Sequence, residues 1–591
     1  DTARVTIRFM HAEGGVSMKI GFVASGTTAD GEYAEVRKSN GGAANFSSFD
    51  DDPLRDAEEP APVSYTFTAG SSSAVNLPLP LELAAKYGSF SDSDGDSMPG
   101  VKSEWDGDND DLPDSFFFAD DPSQIGPKLA AYLAEASDSS SSASVVANSV
   151  SLQTTTRIYQ AQFDSRVWSG SVVSYPVDVA TGSLLPAEWD ASIETAKLDW
   201  DSEREWLTWN SEVGSDSNGD GAPDGSGVPF RWDSLDTIQQ AFLNTPPGDV
   251  PPATDDFGED RLKYLRGNKY YEVTQGNVVG GSPSFRDRLT LQGNPYGLGD
   301  VVHSTPTVVG TPNFGYPDSI ETAPYSAFKA QYADVDCSNG TKDREPILYF
   351  GGNDGALHGV SACDGAERIA YVPRAVYPWL KELTAVDYAH RFYVDGAPTV
   401  VDAYFSSDSS WHTVLVGTLA AGGAGVFALD VTDPSKFDES YADDVVLWDI
   451  VATPSVADSD FEDLGYTFSQ PAVVKAEGHG WVAVFGNGYH GGTPGNSKAV
   501  LYFVDIETGK LLQKIDFSTV DSASHGMNNG LSTVAPIDRD GDGDVDLIYA
   551  GDLNGNVWRV AATIPVGPPT FVQGTGFQTA SSSLLYKAKN K

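Results

Sequence analysis

From about Val150 onward the chain consists of short apolar runs of β type separated by Gly, Asn and Asp, with little helical periodicity except around Asp233 to Phe242. Several segments share one order, a Gly/Asp/Asn turn followed by an apolar strand that carries an aromatic or small residue. They are Gly351 to His358 (GGNDGALH), Ala424 to Asp430 (AGVFALD), Leu501 to Asp505 (LYFVD) and Gly551 to Trp558 (GDLNGNVW). An interval of about 50 to 75 residues suits one four-stranded propeller blade with loop insertions, and roughly 440 residues supply about seven blades. The expected fold class is therefore mainly β, a propeller preceded by a smaller region.

That region reads differently. Residues 1 to about 85 mix alternating runs such as Val5 to Phe9 and Lys19 to Val23 with polar stretches, the pattern of strands joined by long loops. Asp92 to Asp121 is acidic and Gly-rich. Pro122 to Ala136 has the apolar spacing of a short amphipathic helix, and Ser137 to Ser144 (SDSSSSAS) reads as a flexible joint. The expected domains are 1–148, an N-terminal region with acidic calcium loops and a short helix, and 149–591, the propeller.

Charge narrows the function. Acidic side chains number 84 against 37 basic, a net charge of −47. A generic nucleic-acid binder needs the opposite balance, because Lys and Arg neutralise phosphates. Self-repulsion on this scale is relieved by salt or by bound cations, and both point outside the cell. No run reaches the ~18 apolar residues of a membrane-spanning helix. The chain opens on Asp1 rather than Met and shows no export signal at its start, as expected of a processed chain or an excerpt.

Some of the carboxylates are spaced for a metal. Asp538-Arg539-Asp540-Gly541-Asp542-Gly543-Asp544-Val545-Asp546 reads D-x-D-x-D-G-x-x-D. Calcium wants six to eight hard oxygens at one point, and a tight loop supplies them from carboxylates at positions 1, 3 and 5 and a backbone carbonyl at 7. Gly543 holds the sharp turn at position 6, and Asp546 closes the set at position 9. The same template fits Asp216, Asn218, Asp220, Ala222 (through its carbonyl) and Asp224. It also fits Asp106, Asp108, Asp110, Leu112 (through its carbonyl) and Asp114, with Asp111 in the glycine position. A fourth run, Asp92 to Gly100, lacks the closing carboxylate. The expected cofactor is Ca2+.

Other reactive residue types are sparse. The two cysteines, Cys337 and Cys363, exclude a four-thiol zinc site and are 363 − 337 = 26 residues apart. In an exported chain they are expected to form one disulfide, two buried free thiols being the alternative. His303, His358 and His412 lie inside strand-like motifs and are expected to pack there. His390, Asp395 and Ser469 lack a nucleophile elbow. Trp168, Trp411, Trp481 and Trp558 are expected to fill interblade cores rather than stack on a sugar.

Several motifs resemble the PilY/PilC family of type IV pilus-associated proteins. These are Gly299 to Pro306 (GDVVHSTP), Trp411 to Gly417, Ala428 to Thr432, Phe485 to Tyr489 and Gly551 to Trp558, with Arg261 to Gly267 and Val167 to Gly170 similar to the propeller entry. The resemblance covers roughly residues 150 to 560. It implies a seven-bladed modified β-propeller at or near the pilus tip of a Gram-negative bacterium. The implied roles are pilus biogenesis and adhesion, with a calcium loop at Asp538, Asp540, Asp542, Asp544 (through its carbonyl) and Asp546 that influences extension against retraction. Implied partners are minor pilins of the tip complex and a host or abiotic surface. The family's N-terminal von Willebrand A-type domain carries a D-x-S-x-S metal site. That motif is absent here, so residues 1 to about 140 are expected to be a smaller α/β, partial von Willebrand A-like region. The integrin tripeptide Arg-Gly-Asp of some relatives is also absent, Arg266-Gly267-Asn268 being nearest. No enzymatic activity is expected. The alternatives are a propeller dehydrogenase of the quinoprotein type, which the lack of adjacent cysteines disfavours, and a passive calcium-stabilised surface or lectin-like module.

Overall fold

The computed structural model describes most of residues 157–561, except 179–180, 216–223, 278–279, 291–292, 334–336, 338–342, 453–458, 491–497 and 518–528. It also describes 583–587 and, earlier, 2–7, 17–24, 28–29, 31–38, 45–48, 55–56, 63–68, 86, 101–106, 113 and 141–147. The chain divides into two compact units, Asp1–Ala134 and Glu135–Lys591.

The first unit contains β1 (Thr2–Ile7), β2 (Ser17–Ala24), β3 (Gly31–Lys38), β4 (Asn45–Ser48), β5 (Arg55–Asp56) and β6 (Val63–Thr68). β1 pairs with β6, and β2 to β5 form a meander; all of these pairings are antiparallel. The expected helix at Pro122 to Ala136 lies outside the described residues.

The second unit is a series of antiparallel meanders. β7 (Ser141–Ala147), β8 (Arg157–Asp164), β9 (Ser169–Pro176) and β10 (Trp189–Asp190) make the first sheet. Here the structure corrects the sequence reading: Ser141–Ser144, the described part of the run expected to be a joint, begins β7, with Ser141 opposite Phe163 and, beyond the run, Ala147 opposite Ile158 on β8. β11 (Trp206–Asn210) and β12 (Ser226–Pro229) form a hairpin. They join β13 (Thr307–Val309), β14 (Ile347–Gly351), β15 (Leu357–Ser361) and β16 (Glu367–Val372) in a six-stranded second sheet, through a parallel pairing of β11 with β16. Three four-stranded sheets follow: β17 (Thr399–Phe405) to β18 (Ser410–Thr418), β19 (Gly425–Asp430) and β20 (Val446–Val451); β21 (Ala472–Ala476) to β22 (Gly480–Gly486), β23 (Val500–Asp505) and β24 (Leu511–Asp516); and β25 (Leu531–Ile537) to β26 (Leu547–Asp552), β27 (Asn556–Ala561) and β28 (Ser583–Lys587). The described residues thus hold five propeller-type sheets.

Continuous apolar runs form the central strands β14, β15, β19, β22 and β23 because these are buried on both faces, whereas β26 and β27 alternate. On β14, Leu348 and Phe350 pack with Tyr159 and Val172 of the first sheet, while Ile347 and Tyr349 pack in the core shared with the third. On β22, Val482 and Val484 face Ile548 and Trp558 of the fifth sheet, while Trp481, Ala483 and Phe485 face the third. The period-2 alternation of a strand here sorts residues between two neighbouring sheets rather than between core and water. The four sequence segments singled out above fall at the third strands β15, β19, β23 and β27. Each of these strands shifts register against the fourth, at Gly359/Val360, Ala428/Leu429, Phe503/Val504 and Val557/Trp558. A bulge at the same place in four sheets increases the local twist of the outer edge.

The long connection between β12 and β13 within the second sheet carries two helices of eight residues or more among the described residues. Thr237–Asn244 begins at a capping box, in which Gln239 N donates to Asp236 Oδ1 (2.7 Å) and Asp236 N donates to Gln239 Oε1 (2.9 Å). Gly258–Arg266 ends at Gly267, whose φ of 124° is the left-handed geometry that glycine tolerates.

Candidate metal centre

The loop Asp538 to Asp546 connects β25 to β26 in the fifth sheet. It turns back on itself through Gly541 (φ 80°) and Gly543 (φ 95°). Its amides are drawn inward: Gly541 N and Gly543 N donate to the two oxygens of Asp538 (2.7 and 2.9 Å), Asp544 N to Asp542 Oδ1 (2.9 Å) and Arg539 N to Asp546 Oδ2 (2.7 Å). Oxygens of Asp538, Asp540 and Asp542 lie within 4.8 Å of one another, all three residues being exposed. The Gly541 and Gly543 amides hold the Asp538 carboxyl below its ordinary value, so it stays ionised. A convergent set of hard, charged oxygens on a glycine-hinged loop fits a calcium-sized divalent cation. Asp538, Asp540, Asp542 and Asp546 could give carboxylate oxygens and Asp544 its carbonyl.

The base of the loop is fastened to the fourth sheet. Asp544 bridges in parallel to Lys475 of β21, and Val545 N donates to Lys475 O (2.8 Å). The Lys475 ammonium donates to Ile320 O (3.0 Å) and lies 3.7 Å from both Asp544 Oδ1 and Glu321 Oε1. Glu321 in turn accepts from Trp481 Nε1 (3.1 Å). Lys475, Ile320 and Glu321 carry no sequence signal for this role, because their spacing from Asp544 is not local.

The other expected sites are described only at their edges. Asp216, Asn218, Asp220, Ala222, Asp108, Asp110, Leu112, Asp114 and the run 92–100 lie outside the described residues. Asp224 N donates to Ser215 O (2.9 Å), which closes the base of the second loop. Asp106 is buried, with its carboxylate 3.0 Å from Lys102 Nζ. Cys337 and Cys363 form a disulfide with a Cα–Cα distance of 5.2 Å.

Among the described residues, His303, His358, His390 and His412 lie against carboxylates. His390 pairs with Asp300 (2.8 Å) and Asp395 with His303 (2.7 Å), while Ser469 Oγ donates to Ser532 O, so these residues do not converge. His358 is fully buried between Glu367 (2.8 Å) and Asp354 (3.0 Å), and Arg204 pairs with the same Glu367 (2.7 Å). Sequence reasoning missed one arrangement: His412 Nδ1 lies 2.7 Å from Asp430, and its Nε2 lies 2.8 Å from Ser410 Oγ and 3.0 Å from Asp408. Burial disfavours charge on His412, but the two carboxylates outweigh it and raise its pKa. A histidine kept protonated is a poor acceptor for the Ser410 proton. Trp411, Trp481 and Trp558 are buried, and Trp558 stacks on Phe517 at 4.7 Å. Trp168 stacks on His390 at 3.7 Å. Arg266 is fully buried and pairs with Glu439 (2.7 Å), so Arg266-Gly267-Asn268 is not displayed as a recognition tripeptide.

Comparison with known proteins agrees with this architecture. A family profile described as the PilY1 beta-propeller domain matches residues 298–567. The chain is 36% identical over 461 residues to the type IV pilus biogenesis factor PilY1 of Pseudomonas aeruginosa (strain UCBPP-PA14), covering 75% of this chain and 34% of that protein. It is 32% identical over 618 residues to a type IV pilus biogenesis factor PilY1 homolog of Xylella fastidiosa (strain Temecula1 / ATCC 700964), covering 94% of this chain and 38% of that protein. The chain thus spans about a third of the length of the curated relatives it matches. A crystal structure of the Pseudomonas aeruginosa PilY1 C-terminal domain is similar at 34% identity and a TM-score of 0.34, covering 47% of this chain and 50% of that one. Through its propeller segment the chain belongs to the PilY1 family.

Proposed function

We propose that this chain is the calcium-binding propeller portion of an exported type IV pilus biogenesis factor. The observation that carries this reading is the convergence of Asp538, Asp540 and Asp542 on a glycine-hinged loop inside the segment that matches the PilY1 propeller. In the bound state the ion neutralises carboxylates that otherwise repel one another and stiffens the β25–β26 connection against β21. The pilus tip is the proposed location, minor pilins are the proposed partners, and a host or abiotic surface is the proposed adhesion target. The finer architecture proposed is seven blades, two more than the five sheets described. Calcium occupancy would bias the pilus between extension and retraction.

The reading is tested by introducing Asp540→Ala with Asp542→Ala into the full-length factor and counting surface pili in calcium-containing medium. The expected result is an altered number of extended pili with normal export of the factor. Wild-type pilus numbers and retraction would overturn it.

A further inference from the structure

In the second unit a cleft of about 390 Å³ opens between the turn Thr195–Trp200, residues of the segment Gly267–Asn277, and Arg288, Tyr296 and Gly297. That size lies within the range of small-ligand sites. Its lining is unusual for a chain of net charge −47, because three cations, Arg204, Lys269 and Arg288, converge there.

Two of the three are already committed. Arg204 donates to both oxygens of Glu367 and to Arg266 O, and Arg288 donates to Glu272, Tyr264 O and Asn268 O. These bonds fix both guanidinium groups at the wall of the cleft. The carboxylates nearby are committed as well: Glu272 pairs with Arg288, and Asp199 accepts from Ser202 and Asp201 N. The half-buried Lys269 side chain has no hydrogen-bond or ion-pair partner among the described residues. Burial, with Arg288 and Arg204 adding to it and Glu272 opposing in part, pushes its pKa below the ordinary lysine value. An anion arriving at Lys269 would relieve that cost.

The remaining lining suits a flat, hydroxylated molecule. Trp200, Tyr270 and Tyr296 contribute aromatic rings, and Tyr270 is 55% exposed. Asn268, Gln275 and Asn277 contribute amide groups. Asn277 Nδ2 is held on Tyr270 O (3.0 Å), which fixes the amide while its oxygen remains an acceptor. Gly267 keeps the floor open, since a Cβ there would sit 3.2 Å from both Arg204 Nη1 and Trp200 Cβ. Aromatic faces suit sugar rings, amides suit hydroxyls, and an unpaired ammonium suits a carboxylate.

We infer that this cleft is a binding site for an acidic sugar of the uronate class, whose carboxylate pairs with Lys269 and whose ring lies against Trp200 and Tyr270. The inference goes beyond the calcium reading and does not depend on it.

The test is calorimetric titration of the purified chain, in calcium, with a galacturonate trisaccharide, a neutral galactose trisaccharide and a triglutamate peptide. The uronate is expected to bind at least about tenfold more tightly than either of the others. Lys269→Met should weaken uronate binding about tenfold without shifting the melting temperature, and Lys269→Arg should retain most of it. Asp542→Ala should bind uronate as the wild type does, which separates the cleft from calcium-bridged attachment at the acidic loop. Equal binding of the neutral sugar or of the peptide would overturn the assignment. So would an unaffected Lys269→Met, or loss of uronate binding in Asp542→Ala.

Discussion

Lys475 and Asp544 meet twice: their backbones bridge in parallel between β21 and the metal loop, and their side chains lie 3.7 Å apart. The side-chain pair leaves the Asp544 carboxylate facing the neighbouring sheet, while the Asp544 carbonyl is the atom the calcium template requires. Both side chains are partly exposed, so the pair is worth about 0.5–1 kcal/mol. Lys475→Met is therefore expected to weaken calcium binding about two- to fivefold with unchanged stoichiometry, measured by calcium titration. An affinity equal to wild type would show that the contact does not hold the loop.

The two loop glycines separate backbone strain from packing. Both have positive φ, but a Cβ at Gly541 would meet nothing within 4 Å, whereas one at Gly543 would sit 2.6 Å from Ile320 Cδ1. Gly541→Ala is expected to cost about 1 kcal/mol from the left-handed backbone alone. Gly543→Ala should cost more, up to about 2 kcal/mol, limited by how far the Ile320 side chain can swing away. Chemical denaturation of the two variants side by side checks the order.

The His358 cluster sets an alkaline limit. Burial opposes charge on His358, but Asp354 and Glu367 outweigh it and hold its pKa up at about 9. Glu367 is itself held well below the usual carboxylate range by Arg204, against its own burial. A raised histidine pKa means that the stabilisation is fully present below about pH 6.5, falls as pH rises, and is lost above about 9. Melting temperature followed from pH 6 to 10 should fall across that interval. His358→Leu should flatten this dependence while costing about 3–5 kcal/mol, because it leaves buried carboxylate without its partner.

Removing the disulfide tests the segment that precedes β14. Cys337 and Cys363 close a loop of 26 residues in sequence separation, for which chain-entropy estimates give roughly 3 kcal/mol. Cys337→Ser, compared with the wild type in urea, should lower the midpoint accordingly with a similar slope.

Much of this propeller was legible because its repeating unit is local. The turn-plus-strand segments at 351–358, 424–430, 501–505 and 551–558 were readable from composition, and they fall at the third strand of four consecutive sheets. The parallel β11–β16 pairing was not readable, because Trp206 and Ala370 meet across a long insertion and neither strand signals its partner. Ser141–Ser144, the end of the run read as a joint, was misread because its local composition is that of a linker; pairing with β8 overrides it. The Asp538 loop could be named residue by residue because its ligands lie within nine positions. Lys475, Glu321 and Lys269 could not, since each acquires its meaning only from residues brought close by the fold.

Calorimetric titration of calcium into the metal-free purified chain, alongside Asp540→Ala with Asp542→Ala, tests the central claim most directly. The account predicts saturable binding by the wild type, with one site lost and a lower calcium-dependent rise in melting temperature in the variant. Identical isotherms for the two proteins, or no heat of binding in the wild type at millimolar calcium, would contradict it.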